Sequence, residues 1–585
     1  MPLHALLAAT IASLSVLIAP PASAAPSLRA LQDPDPGVRA EAAFTLGQLG
    51  MVEAQGGAEP AIAGLTRTAA AQALFPAVSD ADVRARRAAV EALGKVGGPD
   101  AESFLLSAAT DADPGVRGEA ALALFRQRLL KRVPEYSTAA VTRLALLSAD
   151  ADPEVRWRAD YAFSRWPEPR AAVPLAAAQG DADWRARLFA VRALAKLEKA
   201  PDAARLSDPD VYVRAEAVAA FSAAKAWDKI PDAVFLDASP HVRAAAADAA
   251  AASGNAERFA PLAERVLASS GTLAPARALL ALARLKGQSA VPELVKARQD
   301  PRWWIRASAY EASGLLPGAF QILNDGIQDR DPRVAAQALE TLAGSTAPVD
   351  GVLDRVLRDP KAPLELLGTA IDAATVRAST SSLDGLLSAL ERVRKSDEAE
   401  LREDLRKALQ AVAAKHPDRA DEIKKALERL PEFADKPRTY RFLKKPPEVV
   451  FTTEKGSFTI ALASAADAGN HVAAFVDSVK RKLYDGLTWH RVVTAFVIQG
   501  GDPRGSGWGD DGWRLADEIN PLHFERGTVG MPKAGKDTGG CQLFISLVPT
   551  PHLDGRYTAF GQVVAGQDVL DLIEPGDEIV SARLR

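Results

Sequence analysis

From residue 27 onward, short apolar stretches recur behind a fixed polar signature. DPDPGVRAEAAFTLGQL (33–49) returns as DADVRARRAAVEALGKV (80–96), DADPGVRGEAALALF (111–125) and DADPEVRWRADYAF (150–163). DADWRARLFAVRALAKL (181–197), DPDVYVRAEAVAAF (208–221), DASPHVRAAAADAA (237–250), DPRWWIRASAYEASGLL (300–316) and DRDPRVAAQALETL (329–342) continue the series. The matching arginines are Arg39, Arg84, Arg117, Arg156, Arg185, Arg214, Arg243 and Arg306. Their late intervals are 29, 29 and 29, then 63, which leaves room for one degenerate copy and about ten repeats over 27–345. Each copy spells one event. The acidic-proline step ends a helix, caps the next and puts Pro in its first turn. Small apolar residues then follow at helical spacing. Two short helices cannot bury their apolar faces alone, so the copies must stack into an all-α solenoid. The aspartates are read as caps and the arginines as ties between neighbouring turns. Trp157, Trp184, Trp303 and Trp304 recur less regularly, as core filler or as the lining of a partner groove.

Residues 346–430 lose the signature but stay helical. The stretch 390–430 is dense in opposite charges four residues apart and reads as a solvated helical pair at the end of the solenoid. Residues 431–448 mix proline with basic residues, a linker. Beyond it the period changes to two. VVFTTEKGSFTIAL (449–462) alternates about a turn, HVAAFVDSVKRKLY (471–484) is one amphipathic helix, and the short runs at 489–502, 541–548 and 557–564 read as strands. The expected second architecture is a mostly antiparallel β-barrel over 449–585, since closure removes exposed edges.

Composition narrows the chemistry. The 585 residues are 48% hydrophobic and 25% charged, an ordinary balance for folded domains. The net charge of −4 argues against nucleic acid as a partner. With Cys541 as its single cysteine, the chain can form no internal disulfide and no cysteine zinc site, and its seven histidines show no metal spacing, so no metal and no cofactor are expected. Residues 3–21 are apolar and lead into Ala22-Ser23-Ala24, a small-x-small step. That reads as a signal peptide, residues 1–24, cut after Ala24. The mature protein is then expected to be exported, to a periplasm or the extracellular space, without a stable membrane span.

The repeat resembles the HEAT family in its short bacterial form. YDGLTWHRVVTAFVIQGGDPRGSGWG (484–509), GTVGMPKAGKDTGGCQLFISL (527–547) and HLDGRYTAFGQVVAGQDVL (552–570) resemble the cyclophilin-type peptidyl-prolyl cis/trans isomerases in order and spacing. This resemblance implies an eight-stranded barrel with two capping helices and a substrate groove on its outer face. It implies a catalytic arginine at Arg491, with Gln499 holding it or a substrate carbonyl. Phe496, Val497, Phe544 and Leu553 would form the socket for the proline ring, and Gln542 is the second groove glutamine. Three positions depart from the family pattern. The backbone-binding Ala-Asn step is Pro532-Lys533, the tryptophan before the Leu-Asp-Gly turn is His552, and the pocket histidine is Tyr557. Pro532 removes an N–H from the strand expected to hold the substrate backbone.

These residue types suit the reaction. Peptide resonance opposes rotation with a barrier of roughly 18–20 kcal/mol, and uncatalysed X–Pro exchange takes tens to hundreds of seconds. The twisted transition state returns a lone pair to the proline nitrogen, and a fixed cation stabilises it there more than in the planar ground state. No proton transfer is needed, so His490 reads as a buried, hydrogen-bonded core residue and Cys541 as a small packed hydrophobe. The expected partners are proline-containing protein substrates at the barrel and a protein docked on the solenoid. The rival reading is a non-catalytic scaffold whose barrel only binds proline-containing segments.

Overall fold

The computed structural model describes residues 28–54, 65–395, 399–430 and 437–585. The expected signal peptide and the start of the expected linker fall outside them. Contacts divide the chain into two compact units that do not follow the boundary between repeats and barrel. One holds the chain up to Ile230 with Pro521–His523 and Pro549–Arg556; the other holds the remainder.

In the first unit the longer helix of each repeat starts where the acidic step predicts. Val83–Val96, Pro114–Leu129, Pro153–Arg165, Trp184–Lys196 and Val211–Ala223 are N-capped by Asp82, Asp113, Asp152, Asp183 and Asp210, whose side chains accept from amides in the first turn. The other aspartate of each step does different work. Arg39, Arg86, Arg117, Arg156 and Arg187 donate through Nε and Nη2 to Asp80, Asp111, Asp150, Asp181 and Asp208, the first aspartates of the following repeats, at 2.6–3.1 Å. Each Nη1 donates to carbonyls five and six residues back in its own repeat. One guanidinium fork therefore ties two turns together.

Two of the expected tie residues need correcting. Arg84 and Arg185 share the letters of the motif, but Arg86 and Arg187 make the ladder. A tie must stand six residues after the first aspartate for Nη1 to reach the loop carbonyls, and these two copies have two residues fewer between their acidic step and the Val-Arg or Trp-Arg pair. Arg84 instead folds back on its own cap Asp82, and Arg185 on Asp183 and Glu154.

In the second unit the helix pairs continue past the last recognisable copy. One core of buried residues runs from Ala319 to Leu430 without a break at 346. Helices Thr380–Lys395, Ala399–Lys415 and Ala420–Arg429 stand where a solvated pair was expected; Leu405, Leu409, Val412 and Ile423 are buried in that core. The degenerate copy is the pair Ala256–Leu267 and Leu273–Lys286. Its second helix lacks the acidic step, and Thr272 at its start makes no side-chain cap. Glu574 supplies the missing carboxylate, accepting from the Thr272 and Leu273 amides at 2.8 and 2.9 Å. Among the tryptophans, Trp157 is fully buried, while Trp184, Trp303 and Trp304 are half-buried.

The remainder of the second unit is a curled antiparallel sheet. Its strands are β1 (Glu448–Thr453), β2 (Gly456–Leu462), β3 (Arg491–Val493), β4 (Val497–Gly500), β5 (Thr528–Gly530), β6 (Leu543–Ser546), β7 (Ala559–Ala565) and β8 (Ile579–Leu584). They run in the order β3-β4-β6-β5-β7-β2-β1-β8. The two ends of the sheet meet just before β3 and β8, where Thr488 bridges Glu578 and the Trp489 and Ile579 amides donate across at 2.9 and 2.7 Å. The expected helix 471–484 begins earlier: it is Ala465–Lys480, capped by Ser464 and broken at Ala468. Gln567–Leu570 is a second, single-turn helix. Within the expected linker, Tyr440 donates its amide to Asn470, and Asn470 donates to the Arg438 carbonyl. Among the described residues no helix is long and apolar enough to cross a membrane.

Candidate functional site

The register of three strands builds the site. Arg491 on β3 stands opposite Gln499 on β4, and Gln499 stands opposite Phe544 on β6. Directly opposed residues share a face, as do residues two apart, so Arg491, Gln499, Val497, Phe544 and Gln542 line one surface of the sheet. The polar members form a relay. Arg491 Nη1 donates to Gln499 Oε1 at 3.3 Å, Gln499 Nε2 to Gln542 Oε1 at 2.9 Å, and Gln542 Nε2 to the carbonyls of Gly507 and Gly509 at 2.9 and 3.0 Å. Each glutamine amide is thereby oriented, and Arg491 is exposed at the open end of the chain. Partial burial lowers the Arg491 pKa, opposed by Tyr557, and the guanidinium stays a cation.

Apolar groups flank this relay. The Phe496 ring lies 6.0 Å from the Arg491 guanidinium carbon. Phe544 is buried, stacked on Phe524 at 5.4 Å and met edge-on by Tyr557 at 5.9 Å. Val497 is buried beneath them. Lys533 Nζ sits 5.6 Å over the Tyr557 ring and pairs with Asp517. Pro532 breaks nothing in the sheet: β5 ends at Gly530, and the last amide to bond across, Met531, donates to the Thr558 carbonyl at 3.0 Å. The proline expected inside a strand therefore stands two residues past its end.

His552 and Leu553 belong to the other compact unit, on the segment Pro549–Arg556. Leu553 is buried and His552 half-buried there. The His552 Nδ1 atom lies 2.8 Å from the Tyr161 hydroxyl.

His490 is buried as expected, but neither ring nitrogen has a hydrogen-bond partner. The expectation of a hydrogen-bonded histidine is corrected on that point. Desolvation pushes its pKa down to about 4, so it is a neutral ring between the relay and the core. Burial raises the Cys541 pKa, which makes the thiol inert.

Three contributors were not singled out from sequence. Gly530 stands opposite Phe544, and a Cβ there would lie 2.3 Å from the Phe544 ring tip and 2.5 Å from Phe524. Phe524 is the other half of that stack. Asp502 is fully buried and accepts from the amides of Arg504, Ser506 and Gly507 at 2.7, 2.8 and 2.5 Å, fixing the loop that receives Gln542. The run of glycines at 505, 507 and 509 behind an aspartate was a readable signal of such a wrapped loop; nothing local marks Gly530 or Phe524.

Residues 448–583 match the family model described as cyclophilin type peptidyl-prolyl cis-trans isomerase/CLD, and residues 57–125 match HEAT repeats. A peptidyl-prolyl cis-trans isomerase of Helicobacter pylori is 43% identical over 143 residues, covering 24% of this chain and 87% of that protein. One from Synechococcus elongatus is 41% identical over 139 residues, covering 23% and 95%. A crystal structure of a Cryptosporidium parvum cyclophilin type isomerase aligns at 26% identity and a TM-score of 0.23, over 24% of this chain and 97% of that one.

Proposed function

We propose that this chain, which belongs to the cyclophilin-type peptidyl-prolyl cis-trans isomerases, uses Arg491 to turn X–Pro bonds in protein segments carried to it by a HEAT-repeat solenoid. The observation that carries the reading is the relay Arg491–Gln499–Gln542 set beside the Phe496 and Phe544 rings. A proline ring seats among apolar side chains, and the guanidinium is held at the edge of that seat by a glutamine that is itself held. As the amide twists, its nitrogen becomes pyramidal and basic. A hydrogen bond from Arg491 then gains strength that it lacks against the planar bond, which is how a binding group lowers a rotational barrier. Because Gln499 is anchored through Gln542 to the loop carbonyls, little reorganisation is needed when that charge appears. Nothing in this scheme moves a proton, in keeping with a neutral, buried His490.

The solenoid serves in this reading as a protein-docking arm that raises the local concentration of X–Pro bonds. The apolar segment 3–21 followed by Ala22-Ser23-Ala24 supports export, with folding assistance in a periplasm or outside the cell as the role; N-terminal sequencing of the secreted or periplasmic fraction tests it.

The central test is cis/trans exchange of an Xaa-Pro peptide followed by NMR with the full chain. Wild type accelerates exchange, and Arg491→Ala lowers kcat/KM by about a hundredfold, the scale on which losing one preorganised donor acts. A wild-type chain that binds the peptide without speeding exchange overturns the reading in favour of a proline-binding scaffold.

A further inference from the structure

The segment Pro549–Arg556 is built into the same unit as the first repeats, and the repeats meet it with side chains that a bare helical stack does not need. Tyr161, on the helix Pro153–Arg165, is fully buried and wedged between two rings, Phe125 at 5.2 Å and Phe189 at 5.0 Å, both edge-on. That clamp fixes where its hydroxyl points. The oxygen accepts from the His552 backbone N–H at 3.3 Å and lies 2.8 Å from His552 Nδ1. A phenol has one proton. With the oxygen already accepting from the backbone, giving that proton to Nδ1 satisfies both groups, and this arrangement leaves the imidazole's own proton on Nε2. Burial drives the His552 pKa far down, reinforced by Arg165 and Arg556, so the ring is neutral and has a tautomer to choose.

Two residues further on, Asp554 enters a buried ionic cluster. Arg126 Nη2 stands 3.3 Å and His523 Nδ1 3.0 Å from the same carboxylate oxygen, while Arg126 also pairs with Glu119. Lys95 pairs with Glu91 at 2.6 Å in the same neighbourhood, and a Cβ at Gly555 would lie 3.1 Å from Lys95 Nζ. Lys95 and Arg126 each stand fifteen residues after the first aspartate of their repeats, and Glu91 and Tyr161 each stand eleven after theirs. Lys95 and Arg126, at equivalent positions of consecutive repeats, therefore face one loop, with Tyr161 of the next repeat beside them.

We propose that Tyr161 is a positioning residue of the isomerase: its hydroxyl fixes His552 as the Nε2–H tautomer and, with Arg126 on Asp554, sets the pose of the loop that carries Leu553. The solenoid then holds the loop with two substrate-binding positions of the family motif, as well as serving as an arm that presents clients. This rests on the isomerase reading above, in which His552 and Leu553 occupy substrate-binding positions of the family motif.

The test uses the full chain. In wild type, 15N shifts of the His552 ring are expected to show a protonated Nε2 and a bare Nδ1; a protonated Nδ1 or an averaged ring overturns the proposal without any variant. Tyr161→Phe keeps the clamped ring and removes only the hydroxyl. It is expected to let the tautomers mix and to raise KM for an Xaa-Pro peptide roughly two- to tenfold with kcat nearly unchanged, since the loop binds ground and transition states alike. A purely structural hydroxyl would shift the melting temperature and leave both the ring shifts and the KM-to-kcat split alone, and that result overturns the proposal. A full chain without turnover overturns the isomerase reading and Tyr161's part in it, while the ring shifts separately decide whether the hydroxyl holds His552.

Discussion

A single methyl group added at Gly530 would measure how tightly the proline seat is drawn. Gly530 ends β5 directly opposite Phe544. A Cβ there falls 2.3 Å from Phe544 Cζ, 2.7 Å from Phe544 Cε1 and 2.5 Å from Phe524 Cε1. Carbon atoms rest at about 3.5 Å, so the Phe544 tip must retreat by about 1.2 Å. It cannot retreat inward, because Phe524 stacks on it and meets the same methyl. The remaining direction is toward the seat that Phe544 helps to form. Overpacking of this size costs about 1–3 kcal/mol of stability. Displacing a positioning group by about 1 Å costs as much as a hundredfold in rate. Gly530→Ala is therefore expected to lower kcat/KM for Xaa-Pro exchange by about 10- to 100-fold while the chain still folds. The assay is peptide exchange by NMR beside a thermal melt of the same preparation. A folded Gly530→Ala chain with kcat/KM within about twofold of wild type would refute the argument that Phe544 forms the seat.

Two further perturbations test the scaffold. Arg187→Ala breaks a bidentate pair with the buried Asp208, which keeps Arg205 as a partner, and should cost about 1.5–3 kcal/mol, whereas Arg84→Ala, at an exposed fork on its own cap, should leave the melting temperature nearly unchanged; equal effects would sink the corrected ladder. The same ladder sets an acid limit. Hydrogen bonds from Arg39 and Arg117 hold Asp80 and Asp150 below the usual carboxylate range. Burial alone would raise Asp181 and Asp208, but Arg156 and Arg187 outweigh it and lower them as well. Groups depressed in the folded state stabilise it above their unfolded pKa of about 3.9 and lose that contribution as pH falls through the folded values. Circular dichroism should thus show the repeat helices intact at pH 5 and melting below about pH 4, and a loss of helix on the alkaline side instead would contradict the sign. Finally, Glu574→Ala should strip hydrogen-exchange protection from the Thr272 and Leu273 amides and cost about 1 kcal/mol, the worth of a helix cap; unchanged protection would deny Glu574 that role.

What could be read from the sequence was whatever the chain encodes within a short span. Cap aspartates lie two or three residues before the amides they receive, and the acidic-proline step marked helix starts correctly. The motif around Arg491 and Gln499 was legible through its resemblance to the family, and the two face each other across a tight β3–β4 turn, eight residues apart. The ladder was half legible: letters identified an arginine in each copy, but the reach of Nη1 to the loop carbonyls selects it, and counting from the first aspartate separates Arg86 from Arg84 and Arg187 from Arg185. His490 shows the limit of residue type, since burial was expected of a ring with no proton to transfer and the absence of a partner was not.

The illegible part shares one cause, which is distance along the chain. Tyr161 and His552 are 391 residues apart, Thr272 and Glu574 are 302 apart, and Arg126 and Asp554 are 428 apart. In the sequence each looks like noise in its own repeat: a tyrosine where other copies carry Glu91 or Leu122, a threonine where others carry aspartate. Those departures are the signal. A solenoid position that stays small or apolar in most copies needs only its neighbours. One that turns to a buried tyrosine, arginine or lysine must be answered elsewhere, since a polar group out of water without a partner costs several kcal/mol. The degenerate copy makes the same argument in reverse, because a helix start without its own cap must borrow one. Irregularities within an otherwise regular repeat thus point to the repeat faces that are already occupied, and here their partners are segments of the isomerase itself.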